Sequence, residues 1–371
     1  MKKLTAWLLL LALLCPLLPR AAAESDWVLA GSMDLQYATQ FQVDYYVGGY
    51  KLITLADGSR FLTVPEGCQV PEDAPGDAVP LHQPIKNIYL AATSAMCLFD
   101  ALDRLDAIAL SGSRAESWYI ENARKAMEAG EILYAGKYSE PDYELLLAKH
   151  CPLAVESMMI GHASDVKQKL EELGIGVLTD QSSMEEHPLG RTEWMKLYAA
   201  LLDEEALADR LFREQAAFLE DTVGTEIPAK TVAFFHISSS GYVVARKSGD
   251  YVTKMLELAG GSYVFRDLGD PQTKTSTVNL EMERFFAAAK DADVIIYNST
   301  IGGEIRTLEE LLEKSALLSQ FKAVREGNVW CTQKNMYQET TQLGQMIQSF
   351  RKIFSGEAEE LTQLPFLYRL T

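Results

Sequence analysis

Histidine and cysteine are scarce in this chain and scattered along it. The 371 residues hold five of each, and His82, His150, His162, His187 and His236 form no H-E-x-x-H, no C-x-x-C and no His–acid cluster. That disfavours a metalloenzyme, and an importer that grips zinc or manganese through histidine. Bases are also few, 34 against 52 acids, for a formal charge of −18. Nucleic acid and anionic lipid both need a basic footprint and are poor partners for such a chain. An acidic body serves solubility first, and cationic or metal-bearing ligands second. No apolar run reaches the ~20 residues that span a bilayer. Neither Ser113 nor Ser240 stands in G-x-S-x-G, so the nucleophile elbow of an α/β hydrolase is missing. No Walker A or G-x-G-x-x-G follows a strand, and Gly174-Ile175-Gly176 reads as a helix stop. A hydrophobic content of 48% excludes a disorder-like composition and suffices for ordinary cores.

What is present begins with a leader. Residues 1–23 carry Lys2 and Lys3, an apolar run from Ala6 to Leu18, then Ala21-Ala22-Ala23, the charged, apolar, small-residue order of a secretory signal. Cleavage after Ala23 is the first expectation, giving an exported protein. Cys15, which ends the string LALLC, offers the alternative of a lipid anchor, although Leu14 stands where a small residue is wanted and Pro16 follows. Cys68, Cys97, Cys151 and Cys331 would remain in the mature chain. Their wide, irregular spacing favours buried free thiols and leaves the disulfide state open.

Residues 24–84 read as a separate β-rich preface. Tyr50 to Thr54 and Arg60 to Val64 alternate apolar and polar across an Asp57-Gly58 turn, a hairpin signal, and VPEGCQVPEDAPGD is a loop. The segment carries no chemistry that its residues name. Strand and helix alternate from Ile85 onward, which implies a parallel sheet covered on both faces and an N-terminal α/β lobe over 85–191. Residues 192–227 form the linker. Within it a long helix over 203–224, with Asp203 placed to cap it, makes a rod of roughly 30 Å at 1.5 Å per residue, long enough to cross between lobes. After Pro228 the alternation resumes in a second lobe, 228–371, read as a repeat of the first.

Two look-alike segments carry this two-lobe expectation. PDYELLLAKHCPLAVESM begins at residue 141 and LEMERFFAAAKDADVIIYNS at residue 280. In each a Glu, Glu144 or Glu283, opens a short amphipathic helix that runs directly into an apolar strand suited to the middle of a parallel sheet. The expected fold class is therefore α/β, with two Rossmann-like lobes of parallel sheet joined by one long α-helix and a cleft between them.

At this point the chain resembles the substrate-binding proteins of ABC importers for iron-siderophore, haem and cobalamin, whose two lobes are joined by a single helix. The resemblance rests on NIYLAATSAMCLFDAL, YELLLAKHCPLAV, MERFFAAAKDADVIIY, DYVTKMLELAGG and VREGNVWC, in this order over about residues 85–355. It implies a monomeric, non-enzymatic receptor at the outer face of the cytoplasmic membrane, with an ABC permease as partner. It has no intrinsic cofactor; the cargo would be a metal chelate: ferric siderophore first, cobalamin or haem next. It also implies that Glu144 and Glu283 dock to arginines of the permease, with Glu140 and Glu281 as their nearest rivals. The preface exceeds what a minimal member needs.

Ligands of open α/β sheets bind beyond the carboxyl ends of the strands. Aromatic and basic residues of the loops expected there are the candidate contacts. Trp118, Tyr119, Tyr138, Tyr242 and Tyr337 can stack on a macrocycle or catecholate. Arg246 and Lys247 can hold a carboxylate, propionate or phosphate, with Arg191, in the corner string HPLGR, as a secondary contact. Met159 and His162 stand where they can touch a metal centre. An exported α/β hydrolase, and a sensor or adhesion module on the same fold, are the competing readings.

Overall fold

The computed structural model describes residues 27–223, 227–269 and 276–371. The expected leader, with Cys15, lies outside the described residues. Among the described residues no helix is long and apolar enough to cross a membrane, and Cys68, Cys97, Cys151 and Cys331 are free thiols.

The chain opens with five strands, β1 (Leu29–Ser32), β2 (Phe41–Tyr46), β3 (Lys51–Leu55), β4 (Arg60–Val64) and β5 (Val79–His82), hydrogen-bonded in that order. β3 and β4 form the expected hairpin. Gly58 takes φ +87°, and the Asp57 carboxylate accepts from the Ser59 amide at 3.0 Å. The sheet is not a separate preface, however. Phe41, Val43, Ile53, Leu55, Phe61 and Leu81 belong to one apolar cluster with Ile88, Leu90, Phe99 and Leu178 of the lobe that follows. Alternating apolar residues cannot be left wet on a sheet this small, so its inner face is buried against the lobe.

That N-terminal lobe is built on β6 (Ile88–Leu90), β7 (Ile108–Ser111), β8 (Leu133–Tyr134), β11 (Leu153–Ser157) and β12 (Gly176–Asp180). They are all parallel, in the order β12-β11-β6-β7-β8. A small hairpin, β9 (Gly136–Lys137) and β10 (Glu140–Pro141), follows β8, and α1 (Met96–Ala101), α2 (Glu121–Glu128), α3 (Tyr143–Ala148) and α4 (Ser164–Glu172) cover the faces. Ser164 starts α4 but makes no capping bond; Gly174, φ +77°, stops the chain just beyond it. Both faces being covered, the strands are apolar except toward their carboxyl ends, at Ser111, Ser157, Thr179 and Asp180, and at one buried acid. Glu156 in β11 is 0% exposed, and neither carboxylate oxygen has a hydrogen-bond partner. Burial pushes its pKa up to about 8.

The connection is a helical hairpin. All of α5 (Pro188–Leu202) is buried, and it starts four residues ahead of the expected Thr192 because His187 Nδ1 caps it, accepting from the Leu189 amide at 3.1 Å. Asp203 does not cap the next helix. It closes α5 in the left-handed conformation, φ 60°, and α6 (Glu205–Val223) then runs back along α5. Ala208 of α6 packs in the N-terminal cluster, and Phe212, Ala216 and Leu219 in the C-terminal one. Its 19 residues, roughly 28 Å at 1.5 Å each, thus cross between the lobes. α5 crosses as well, with Leu189 in one cluster and Trp194 to Leu202 in the other.

The second lobe does not repeat the first. β13 (Lys230–Ile237), β15 (Gly261–Tyr263), β17 (Val294–Tyr297) and β18 (Val329–Thr332) are parallel, but β14 (Val243–Arg246), β16 (Thr277–Leu280), β19 (Gln363–Leu364) and β20 (Leu367–Arg369) make a mixed eight-stranded sheet of it. The difference begins at Ser238 to Tyr242, where Gly241 at φ +84° folds the chain straight back as β14 instead of feeding a helix. Six helices flank this sheet: α7 (Tyr251–Leu258), α8 (Met282–Ala289), α9 (Ser299–Gly302), α10 (Leu308–Lys314), α11 (Lys322–Arg325) and α12 (Leu343–Ser355).

Candidate functional site

The loops after β6, β7, β8 and β11, at the carboxyl ends of the N-terminal sheet, are where the contacts from this lobe are expected. Met158 to His162 coil into a 3-10 turn anchored by the Ser157 hydroxyl, which accepts from the Met159 amide at 3.3 Å. This leaves Met159 47% exposed and His162 exposed beside it. Tyr119 is 50% exposed. Tyr138 is half-buried, packed on the apolar layer that holds Tyr89 and Leu146. Arg114 lies over the Tyr134 ring at 4.2 Å, a cation–π pair in the loop following β7 that the residue types alone did not single out. Trp118 requires a correction. It is 3% exposed, within the core shared by α1 and α2, because an indole at the foot of a helix start gains most by burial.

On the C-terminal lobe Tyr242 is 40% exposed at the β13–β14 turn and Ile301 58% exposed in α9. The cations expected here are built into the lobe instead. Arg246 sits in a hairpin strand, not a loop; it pairs with Asp250 at 3.3 Å and donates to the Tyr337 hydroxyl, which also accepts from Asn298 Nδ2 at 2.9 Å. Burial works against the guanidinium charge, but Tyr337 and Asp250 outweigh it and hold its pKa above the ordinary value. Tyr337 is thereby committed to this network. Lys247 is 7% exposed, its stem packed under Gly269. Arg191, in the first turn of α5, is buried over the Tyr251 ring at 4.0 Å. A buried ionic network of this kind is costly to break from one side.

The two lobes meet at one edge. The Tyr119 amide donates to Gln338 Oε1 at 2.9 Å, and Gln338 Nε2 donates to the Ser117 carbonyl at 2.8 Å. Beside this bridge lies a cavity of about 480 Å³ between the lobes. It is lined by Asp100 and Glu121 from one lobe and Glu339 from the other; burial, then the Asp100 charge, push the Glu339 pKa up against the bonds from Asn335 and Gln342 that lower it. Among the described residues no group of three or more His, Cys, Asp or Glu is placed to hold a metal ion.

Glu144 and Glu283 occupy equivalent places. Each lies in the first turn of its helix, α3 or α8, is exposed, and takes part in no ion pair among the described residues. Each helix is followed directly by a strand inside its sheet, α3 by β11 and α8 by β17. Glu140 is the less free rival, 3.8 Å from Lys137. Glu281 stands at the cap position of α8 without making a capping bond.

Two α/β lobes bridged by a helical hairpin, with aromatic and thioether groups bared at the strand ends between them, define a solute receptor. The chain belongs to the periplasmic binding protein family, whose model matches residues 109–336; its members bind solutes and are not enzymes. An uncharacterized lipoprotein of Methanocaldococcus jannaschii is 26% identical over 305 residues, 78% of this chain and 70% of its own. The fold is shared with a periplasmic haem-binding protein of Vibrio cholerae (TM-score 0.57, 16% identity, covering 71% of this chain and 97% of that one). It is also shared with an ABC transporter substrate-binding protein of Listeria monocytogenes (TM-score 0.53, 14% identity, covering 73% and 99%).

Proposed function

We propose that this protein captures one metal chelate in the interlobe cleft outside the cytoplasmic membrane and hands it to an ABC permease. Ferric siderophore is the first cargo choice, with haem and cobalamin next. The observation that carries this reading is the bared set Tyr119, Met159 and Tyr242, with Arg114 laid over Tyr134. Flat, polarizable groups beside a guanidinium suit a large, partly anionic, aromatic or macrocyclic cargo better than a bare ion or a small polar solute. His162 serves as a contact to the cargo's periphery.

Delivery would use the two exposed carboxylates, Glu144 and Glu283, one per lobe. Each contributes little affinity alone, but a charge on each of two fixed lobes sets orientation and association rate. The lipoprotein relative fits an anchored receptor, with the thiol of Cys15 as the attachment point and a freely exported chain as the alternative. Tryptophan fluorescence titration of the mature protein with a ferric siderophore panel, haemin and cyanocobalamin tests the cargo. One of these should saturate at one equivalent per chain. If none of the three classes quenches or shifts the emission, and calorimetry also detects no heat, the cargo assignment is wrong.

A further inference from the structure

A densely bonded contact between distant parts of the chain lies where the N-terminal segment meets α5. Glu193, on α5 and 0% exposed, accepts the backbone amides of Gln36 at 2.9 Å, Tyr37 at 2.8 Å and Ala38 at 2.8 Å. Glu185, just ahead of α5 and 3% exposed, accepts the Thr39 amide at 2.8 Å, the Gln40 amide at 3.1 Å and Trp194 Nε1 at 2.8 Å. Two buried carboxylates thus take up five successive amides of one bent segment. Lys196 of α5 closes the same knot, donating to the Asp34 carbonyl at 2.9 Å while it pairs with Glu193 at 3.0 Å and with Asp209 of α6 at 3.3 Å.

The segment also reaches both lobes. Tyr37 stacks on His187 at 4.2 Å and meets Phe212, a member of the C-terminal cluster, edge-on at 6.2 Å. Its carbonyl presses so closely on α5 that a Cβ at Gly190 would stand 3.0 Å from it. Ala38 and Phe41, next along the chain, are buried in the N-terminal cluster. At the far end of the hairpin, buried Lys51 of β3 donates to the Ala200 carbonyl at 3.0 Å, to Asp203 at 2.6 Å and to Glu205, so it ties the last turn of α5 to the first turn of α6.

We infer that the N-terminal sheet is a built-in brace: the segment Asp34 to Gln40 and Lys51 lock the α5–α6 hairpin into one geometry and so fix the angle between the lobes. A rotation of the lobes about α5 and α6 pulls a buried carboxylate off amides that have no other acceptor among the described residues. This is independent of which cargo fills the cleft, and it gives residues 27–85, silent in the sequence, a mechanical role.

The test uses the full chain in a Cys68→Ser background, with spin labels on Lys149→Cys in the N-terminal lobe and Glu313→Cys in the C-terminal one, both exposed positions. Pulsed dipolar spectroscopy should give one narrow interlobe distance without cargo, and hydrogen exchange should find the amides of residues 36–40 protected. Glu193→Gln, which removes the charge and one acceptor oxygen, should speed exchange at residues 36–38 about tenfold and widen the interlobe distribution about twofold. Exchange in β6 and β13 should stay unchanged. Should Glu193→Gln fail to fold, Tyr37→Leu keeps both carboxylates and removes only the ring that touches both lobes; it should widen the distribution likewise. A broad distribution in the parent overturns the brace. So does faster exchange with an unchanged interlobe distance, which would make the segment a fold element only, and so does no change in either measurement.

Discussion

The buried carboxyl of Glu156 sets a pH dependence that can be worked out in advance. Its pKa rises from the ordinary 4.5 to about 8 on folding, because burial disfavours the charged form and no described donor compensates. Between these two values the unfolded chain is ionised at this site while the folded chain keeps its proton. The folded state then binds the extra proton, so stability falls as pH rises, by about 1.4 kcal/mol per pH unit and about 5 kcal/mol across the whole window. Below pH 4.5 both states are protonated and the penalty vanishes. Glu156→Gln removes the titration while keeping the shape. Burying the amide adds a constant of either sign, but a constant does not change with pH. Urea unfolding of parent and variant at pH 4, 6, 7 and 8 should therefore show the variant gaining on the parent steadily, by roughly 3 kcal/mol between pH 4.5 and 7. A difference between the two that stays flat over this range would refute the reasoning and mean that the carboxylate finds a partner or water when it ionises.

The double variant Glu144→Ala, Glu283→Ala should abolish uptake in cells while leaving cargo affinity unchanged in solution, and lost binding would remove the docking role. Tyr119→Ala with Met159→Ala, at two exposed positions, should leave stability within about 0.5 kcal/mol. It should weaken cargo binding about tenfold, or ~1.4 kcal/mol, as read by calorimetry. Trp118→Ala should do the reverse, costing about 3–5 kcal/mol of stability with cargo affinity intact. A Trp118 variant that folds normally but loses cargo would return that side chain to the cleft.

The paired segments were legible because each joins a 3.6-residue period to a solid apolar strand, and the hairpin because Asp57-Gly58 permits one kind of turn. α6 is legible as one long helical run, whereas the start of α5 is not, because a helix buried all round shows no polar face to mark it. Arg246 and Lys247 follow an apolar run and looked like loop cations. Only the fold-back at Gly241 makes that run a strand and turns the cations inward. Glu156 violates the rule that central strands are apolar, so nothing in LAVES announces it. The grip of Glu185 and Glu193 falls on backbone amides, which every residue but proline carries, so it leaves no signature in the sequence.

The account stands or falls on where the cargo sits, and a crystal structure of the protein loaded with its tightest-binding chelate measures that directly. The metal centre should lie between the loops of Arg114 to Tyr119 and Met158 to His162 on one side and Tyr242 and Ile301 on the other, with Glu144 and Glu283 left free. Density for the chelate away from the interlobe cleft, for example in the groove between Arg60 and Lys167, would contradict it.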